Sequence, residues 1–391
     1  MKLRDAPSSP LSEFSSCKIL SRPINQPSTT SPCGYPHSAL LSFLLGFIVQ
    51  EVLLPSPSSI VHINSPPMIM QSKGLSTFPT ILDPTTCAKK GLCPINRGRE
   101  QPRNLYYEIH GDLAASNRIV LIMGLLLTCS AWSEQVAHFG KKPDHAVLAI
   151  DNRGIGNSDC GPWGIYRTTE MAQDIKDLLD HLGWTDRSLH LFGVSLGGMQ
   201  LQNLCLLIPE RIKSTSFVST RCGSVFDLPS MRAIAALLDI IRRKGPYERR
   251  VDQLFELLYP DNYLNELVSP GKTRRDELRN YFRTWFDNPQ FPLAGIIGQF
   301  CAVTFHHCSD SDLRRIAEEV YPAKIAVICG NRDQLIPPMR SSELSSKMYG
   351  SELVLMQNAG HLIGTQITDQ FNQLMERIIR EGNQAFETKK Q

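Results

Sequence analysis

The 391-residue sequence has no Cys-x-x-Cys pair and no His-Glu-x-x-His element, although it holds 11 cysteines and 10 histidines. The spacings that bring thiolates onto one turn, or two imidazoles onto one helix face, are missing, so no metal site is expected. No Asn-x-Ser/Thr acceptor occurs either. The cysteines are odd in number and irregularly spaced; Cys87 and Cys93 come nearest to a pair in the N-terminal part. Reduced thiols in an intracellular compartment, cytoplasmic or mitochondrial, are the simplest reading. Charge of one sign is also lacking. Lys and Arg number 41 against 38 Asp and Glu, a net charge of +3 with no concentrated basic face. No nucleic-acid footprint is therefore expected.

What is present is an ordinary globular composition, 42% hydrophobic and 20% charged, with length for one large domain plus an extension. Residues 1–95 are rich in Ser and Pro without sustained periodicity, which predicts disorder. Within them the apolar run Ala39–Val49 falls short of the roughly 20 residues that span a bilayer. It also starts too far in for an ordinary signal peptide. It fits a short helix, a segment making weak membrane contact, or part of a presequence. Lys2, Arg4, Lys18 and Arg22 among many serines are transit-like; Asp5 and Glu13 count against that.

From residue 96 onward strand-like and helix-like segments alternate. Asn104–Ile109, Ile119–Met123, Ala146–Ile150, Leu189–Phe192, Ser214–Ser219, Lys324–Gly330 and Glu352–Met356 read as strands. Met171, Ile175, Leu178, Leu179 and Leu182 mark one helix face. Alternation of this kind predicts a mostly parallel sheet flanked by helices, with ligands bound at the carboxyl ends of its strands.

One stretch carries chemistry. Gly193-Val194-Ser195-Leu196-Gly197 reads G-x-S-x-G, with a buried strand before it and a helix-compatible run after it. A strand turning that sharply into a helix strains the serine backbone and holds its hydroxyl above a helix N-terminus. By itself the pattern arises often by chance. A candidate acid and base follow on the expected side of later strands: Asp333 past Lys324–Gly330, and His361 past Glu352–Met356. In the order Ser, Asp, His, His361 would take the serine proton, and Asp333 would fix the imidazole tautomer. An oxyanion needs two backbone N–H groups. Leu196 follows the nucleophile, and Leu125 lies in the loop after Ile119–Met123.

These residues resemble the α/β-hydrolase superfamily, in particular its serine hydrolases and acyltransferases, over about residues 100–380. Asp151-Asn152-Arg153-Gly154-Ile155-Gly156-Asn157-Ser158 looks like the family's D-x-R-G-x-G-x-S loop, and Gln299 and Pro337 fall in familiar places. Asp151 and Arg153 are expected to be a charged pair tying a turn together. Many members carry His-Gly where this chain has Met123-Gly124; a backbone donor does not need the histidine. The absent Gly-Gly-Gly type of loop argues against bulky tertiary-alcohol esters. A serine nucleophile argues against epoxide hydrolases and haloalkane dehalogenases, and the missing H-G-G-P-G loop against proline iminopeptidases.

Residues 223–305 interrupt the alternation. Met231–Ile241, Val251–Leu258 and Arg275–Phe286 read as helices, and the resemblance places a helical lid here, between strands six and seven. Phe255, Tyr259, Tyr263, Tyr281, Phe282, Trp285 and Phe286 are expected to pack this lid onto the body, some of them lining a pocket. His306 and His307 are expected to be structural. The resulting expectation is a serine hydrolase acting on a small to medium apolar ester, lactone or thioester, without cofactor or metal. Two alternatives keep the same residues: an acyltransferase, and a non-catalytic ligand receptor. Fold alone does not choose among them, and nothing in the sequence sets the oligomeric state.

Overall fold

In the computed structural model, residues 79–387 are described, apart from 100, 162–163, 224–229, 243–245 and 287–291. The apolar run 39–49 and the rest of residues 1–78 lie outside the described residues.

Eight strands form one sheet: β1 (Cys87–Ile95), β2 (Arg103–Gly111), β3 (Asn117–Ile122), β4 (His145–Ile150), β5 (Leu189–Val194), β6 (Ile212–Val218), β7 (Lys324–Gly330) and β8 (Glu352–Met356). Their spatial order is β1-β2-β4-β3-β5-β6-β7-β8. Only β2 runs against the others: it pairs antiparallel with both β1 and β4. The neighbours from β4 to β8 pair in parallel. The α/β reading of a mostly parallel central sheet holds.

The expected boundary at residue 96 falls too late. Cys87–Ile95, assigned from composition to a disordered extension, is an edge strand of the main sheet. Its burial is uneven: Gly91, Cys93 and Ile95 are buried, and Ala88 and Lys89 are exposed.

Successive strand side chains point to opposite faces, and the core divides accordingly. Val120 and Ile122 of β3 join one buried cluster, Ile119 and Leu121 the other. The first face is covered by α2 (Thr168–His181), α3 (Leu196–Leu207), α9 (Asp310–Val320) and α10 (Pro338–Lys347); the second by α1 (Ser133–Phe139) and α11 (Thr368–Glu387). The predicted apolar stripe of α2 is buried at Met171, Ile175, Leu178 and Leu179.

Between β6 and β7 the chain builds α4 (Met231–Arg242), α5 (Tyr247–Leu258), α6 (Asp261–Leu264), α7 (Arg274–Phe286) and α8 (Leu293–Thr304). A short hairpin, Leu267–Ser269 with Lys272–Thr273, separates α6 from α7. The expected helices are present; α8 was not anticipated. Among the described residues no helix is long and apolar enough to cross a membrane.

The segment before β1 is clamped by Glu108, which is fully buried. Its carboxylate accepts from the Ile81 amide at 2.6 Å, the Leu82 amide at 3.3 Å and the Tyr106 hydroxyl at 2.5 Å, and lies 3.0 Å from His110 Nε2. His110 Nδ1 lies 2.9 Å from Thr86 Oγ1. Burial opposes ionisation, but these hydrogen bonds outweigh it and hold the carboxyl below the usual glutamate range. Cys87, Glu108 and His110 bring potential ligand atoms within 4.8 Å of one another. Both Glu108 oxygens and both imidazole nitrogens already have protein partners, so the cluster is a structural anchor. Glu108→Ala would orphan several buried donors; we expect a loss of about 3–5 kcal/mol in urea unfolding.

Candidate active site

The turn from β5 into α3 places Ser195 at φ 55° and ψ −115°, a backbone conformation that residues with a Cβ rarely adopt. Flanking glycines make the turn possible. A Cβ on Gly197 would stand 2.2 Å from the Ile122 carbonyl oxygen, and one on Gly193 would stand 2.5 Å from that of Gly197. The Ser195 amide donates to the Val218 carbonyl at 2.9 Å. The Ser195 carbonyl accepts from the Thr220 hydroxyl at 2.8 Å and from the Met199 amide at 3.1 Å. The elbow is thus tied to the end of β6 as well as to its own helix.

Asp333 and His361 meet. His361 Nδ1 lies 2.8 Å from Asp333 Oδ2, both side chains being buried. Asp333 Oδ1 is occupied by the Leu335 and Ile336 amides, each at 2.9 Å. The carboxylate therefore has one oxygen to orient and one to offer. With Nδ1–H donating to it, the neutral ring carries its lone pair on Nε2. The His361 amide donates to the Leu258 carbonyl at 2.8 Å, so the end of α5 fixes the histidine loop.

Ser195 and His361 border the same cavity of about 280 Å³. Leu125 lines it too; Leu196 opens α3, where the first amides have no intrahelical acceptor. The wall is mostly apolar and draws on the body and the insertion, including Leu254, Leu257, Phe282 and Phe300. Of the aromatics expected in the insertion, Phe255, Tyr259 and Phe282 are buried, and Phe282 borders the cavity. Tyr281 is exposed. The side chains of Trp285 and Phe286 lie outside the described residues.

The loop carrying Leu125 is held from a distance. Leu126 has φ 60°, and its amide donates to Gln299 Oε1 at 2.9 Å. Gln299 Nε2 donates to the Arg153 carbonyl at 2.9 Å. Gln299, fully buried on α8, thus bridges two loops at the strand ends.

The expected Asp151–Arg153 pair is not formed. Asp151 accepts from the Cys129 amide at 2.8 Å and the Asn157 amide at 2.9 Å, and burial raises its pKa. Arg153 instead grips Asp174 at 2.5 and 2.7 Å and Glu170 at 3.2 Å. Its guanidinium fork needs two carboxylate oxygens in one plane, which α2 presents and the adjoining turn does not. His306 is buried between Thr168 Oγ1 at 2.9 Å and Gln202 Oε1 at 3.3 Å. Burial, then the Arg221 charge, push its pKa down to about 3. His307 Nδ1 lies 3.2 Å from the Gly223 carbonyl. The described cysteines are free thiols.

A family model for the alpha/beta hydrolase fold matches residues 117–365, and the chain belongs to that family. Rhodomycin D methylesterase DnrP of Streptomyces peucetius is 26% identical over 66% of this chain and 89% of its own length. The 2-hydroxy-6-oxononadienedioate/2-hydroxy-6-oxononatrienedioate hydrolase of Klebsiella pneumoniae is 25% identical over 71% and 91%. Among solved structures, a thermophilic esterase from Thermogutta terrifontis aligns with a TM-score of 0.61 at 20% identity, covering 75% of this chain and 99% of its own. These relatives are hydrolases, and the chain is consistent with one.

Gln299→Leu would leave the Leu126 amide and the Arg153 carbonyl without their buried partner. At about 1–3 kcal/mol for each of the two orphaned groups, we expect a loss of about 2–6 kcal/mol, measured by chemical denaturation with circular dichroism.

Proposed function

We propose that the protein is a serine hydrolase that cleaves a carboxylic ester, lactone or thioester through an acyl-enzyme. The observation that carries this reading is the convergence on one cavity of a strained serine and a buried His361–Asp333 pair. Ser195 Oγ attacks the carbonyl carbon while His361 Nε2 accepts its proton. Asp333 keeps the imidazole in the required tautomer and stabilises the imidazolium. The tetrahedral oxyanion rests on the Leu125 and Leu196 amides. Collapse expels the alcohol or thiol, which takes the proton from His361, and water then releases the acid by the same route. No metal or organic cofactor enters these steps.

The apolar wall supports a substrate of small to medium size, since a cavity of about 280 Å³ lies near the lower end of ordinary ligand sites. The methylesterase relative supports an ester as the scissile group. Among the described residues Ser195 Oγ makes no hydrogen bond; nucleophile–base contacts often tighten only around bound substrate.

Labelling of purified protein by a fluorophosphonate tests the reading directly. Wild type is expected to be labelled, and Ser195→Ala and His361→Ala to lose both labelling and turnover of p-nitrophenyl esters, by roughly 10⁴–10⁶-fold. Near-normal turnover in well-folded Ser195→Ala would end the assignment. Repeating turnover with excess alcohol distinguishes hydrolysis from acyl transfer by the product formed.

A further inference from the structure

An imidazole hangs from one Cα–Cβ bond, so the backbone around His361 sets where its ring can stand. That backbone reads Gln357-Asn358-Ala359-Gly360-His361-Leu362, with the short helical turn Ile363–Gln366 after it. Asn358 adopts φ 55°, a conformation more open to asparagine than to most residues, yet one that needs support from its surroundings. Gly360 has no room for a side chain: a Cβ there would stand 2.4 Å from the Leu258 carbonyl oxygen. The loop is tied to its neighbours at two backbone points. The Arg332 amide donates to the Ala359 carbonyl at 2.8 Å, which couples it to the loop carrying Asp333. The His361 amide donates to the Leu258 carbonyl at 2.8 Å.

Two side chains complete the support. Gln366 reaches back over the turn that precedes the histidine. Its Oε1 accepts from the Gly360 amide at 2.7 Å, and its Nε2 donates to the Asn358 carbonyl at 2.7 Å. One amide group thus joins both ends of the turn. The bridge needs a donor and an acceptor on one planar group; an ionised carboxylate lacks the donor, and an aliphatic chain lacks both. Beyond His361, the Thr365 hydroxyl gives its one proton to the Leu362 carbonyl at 3.1 Å. The Tyr259 hydroxyl lies 2.9 Å from Thr365 Oγ1, so the tyrosine is the donor of that pair. Tyr259 is buried and stands at the end of α5.

We propose that Gln366 is a positioning residue for the acyl chemistry, holding the Asn358–Gly360 turn in the geometry that sets His361 between Asp333 and Ser195. The proposal rests on the hydrolase reading above and adds a residue to its machinery. Gln366 does not line the cavity; it acts through the loop. It is half-buried, and its bond to Asn358 lies at the surface. Water can replace these hydrogen bonds in a variant, which limits the loss of stability. Water cannot hold the turn in one geometry, and a misplacement of about 1 Å at a reacting group costs roughly a hundredfold in rate. Position, more than stability, is therefore what Gln366 supplies. Tyr259 adds less, because the Thr365–Leu362 bond that it supports survives the loss of the tyrosine hydroxyl.

The test measures p-nitrophenyl butyrate turnover and the rate of fluorophosphonate labelling in Gln366→Leu, Gln366→Glu and Tyr259→Phe. Each variant is checked for folding by circular dichroism and urea unfolding. Gln366→Leu is expected to lower kcat about 10–100-fold and to slow labelling with it. KM should stay within about twofold, and the urea midpoint near that of wild type. Gln366→Glu keeps the acceptor for the Gly360 amide but loses the donor, so it should retain part of the rate. It carries the comparison if Gln366→Leu fails to fold. Tyr259→Phe should lower kcat only a few-fold. A folded Gln366→Leu with kcat within about twofold of wild type overturns the proposal and leaves the hydrolase reading standing. A loss expressed in KM with kcat kept overturns it too, since that would place Gln366 in substrate binding. So does a loss of activity that merely follows the fraction of unfolded protein, the mark of a structural role alone. A wild type with neither labelling nor turnover defeats the hydrolase reading, and this proposal with it.

Discussion

The site depends on a backbone held where it would not stay unaided. Ser195 sits at a positive φ, which costs about 1–3 kcal/mol for a residue with a side chain. Three contacts hold it there: its amide on the Val218 carbonyl, the Thr220 hydroxyl on its own carbonyl, and the packing of Gly197 against Ile122. The first two come from the end of β6 and the third from the end of β3, so the turn after β5 is tied to the strands on both sides of it. A residue larger than glycine at 197 would push the elbow away from β3, and with it the loop after β3 that carries Leu125.

The insertion between β6 and β7 takes part in this arrangement. Gln299 of α8 holds the Leu126 amide and the Arg153 carbonyl, and the Leu258 carbonyl at the end of α5 receives the His361 amide. The loop after β3 and the loop carrying His361, both of which line the cavity, are therefore shaped by hydrogen bonds from insertion residues. The insertion also supplies much of the apolar wall. Its sequence can accordingly reset substrate preference and loop geometry together, while the sheet and the elbow stay as they are.

The positions of Ser195, Asp333 and His361 could be read from the sequence because each follows a compact apolar strand, and the strand ends fix where the loops emerge. Features resting on long-range partners could not be read. Proximity in sequence pairs Arg153 with Asp151, yet its partner Asp174 comes from α2, and no local pattern distinguishes the two. β1 is not legible in the sequence because Lys89, Lys90, Gly91 and Pro94 erase the alternation that marks a half-buried strand. It is an edge strand, where such residues are tolerated. α8 is hidden in the sequence for the opposite reason. Leu293–Thr304 is apolar nearly all round and carries Gly295 and Gly298, so it shows no amphipathic stripe. The glycines are explained only by the fold: a Cβ on Gly298 would lie 2.7 Å from the Tyr166 ring.

The buried histidines show how environment separates scaffold from candidate chemistry. His110 has both nitrogens engaged, by Glu108 and Thr86, and His306 by Thr168 and Gln202. His190 meets Ser214 at 2.8 Å, and burial holds its pKa down to about 3. Burial holds the His190 and His306 rings neutral, and none of the three borders the cavity, so none can pass a proton to a ligand there. His361 is as buried as these, but it is the one of the four that lines the cavity. Its Nδ1 is directed at a carboxylate whose other oxygen is already occupied by two amides. A proton gained at Nε2 would therefore place its charge beside Asp333, in a setting arranged before any substrate arrives. This pre-arrangement, more than the presence of a histidine near a serine, is the physical ground for proposing His361 as the group that transfers the proton.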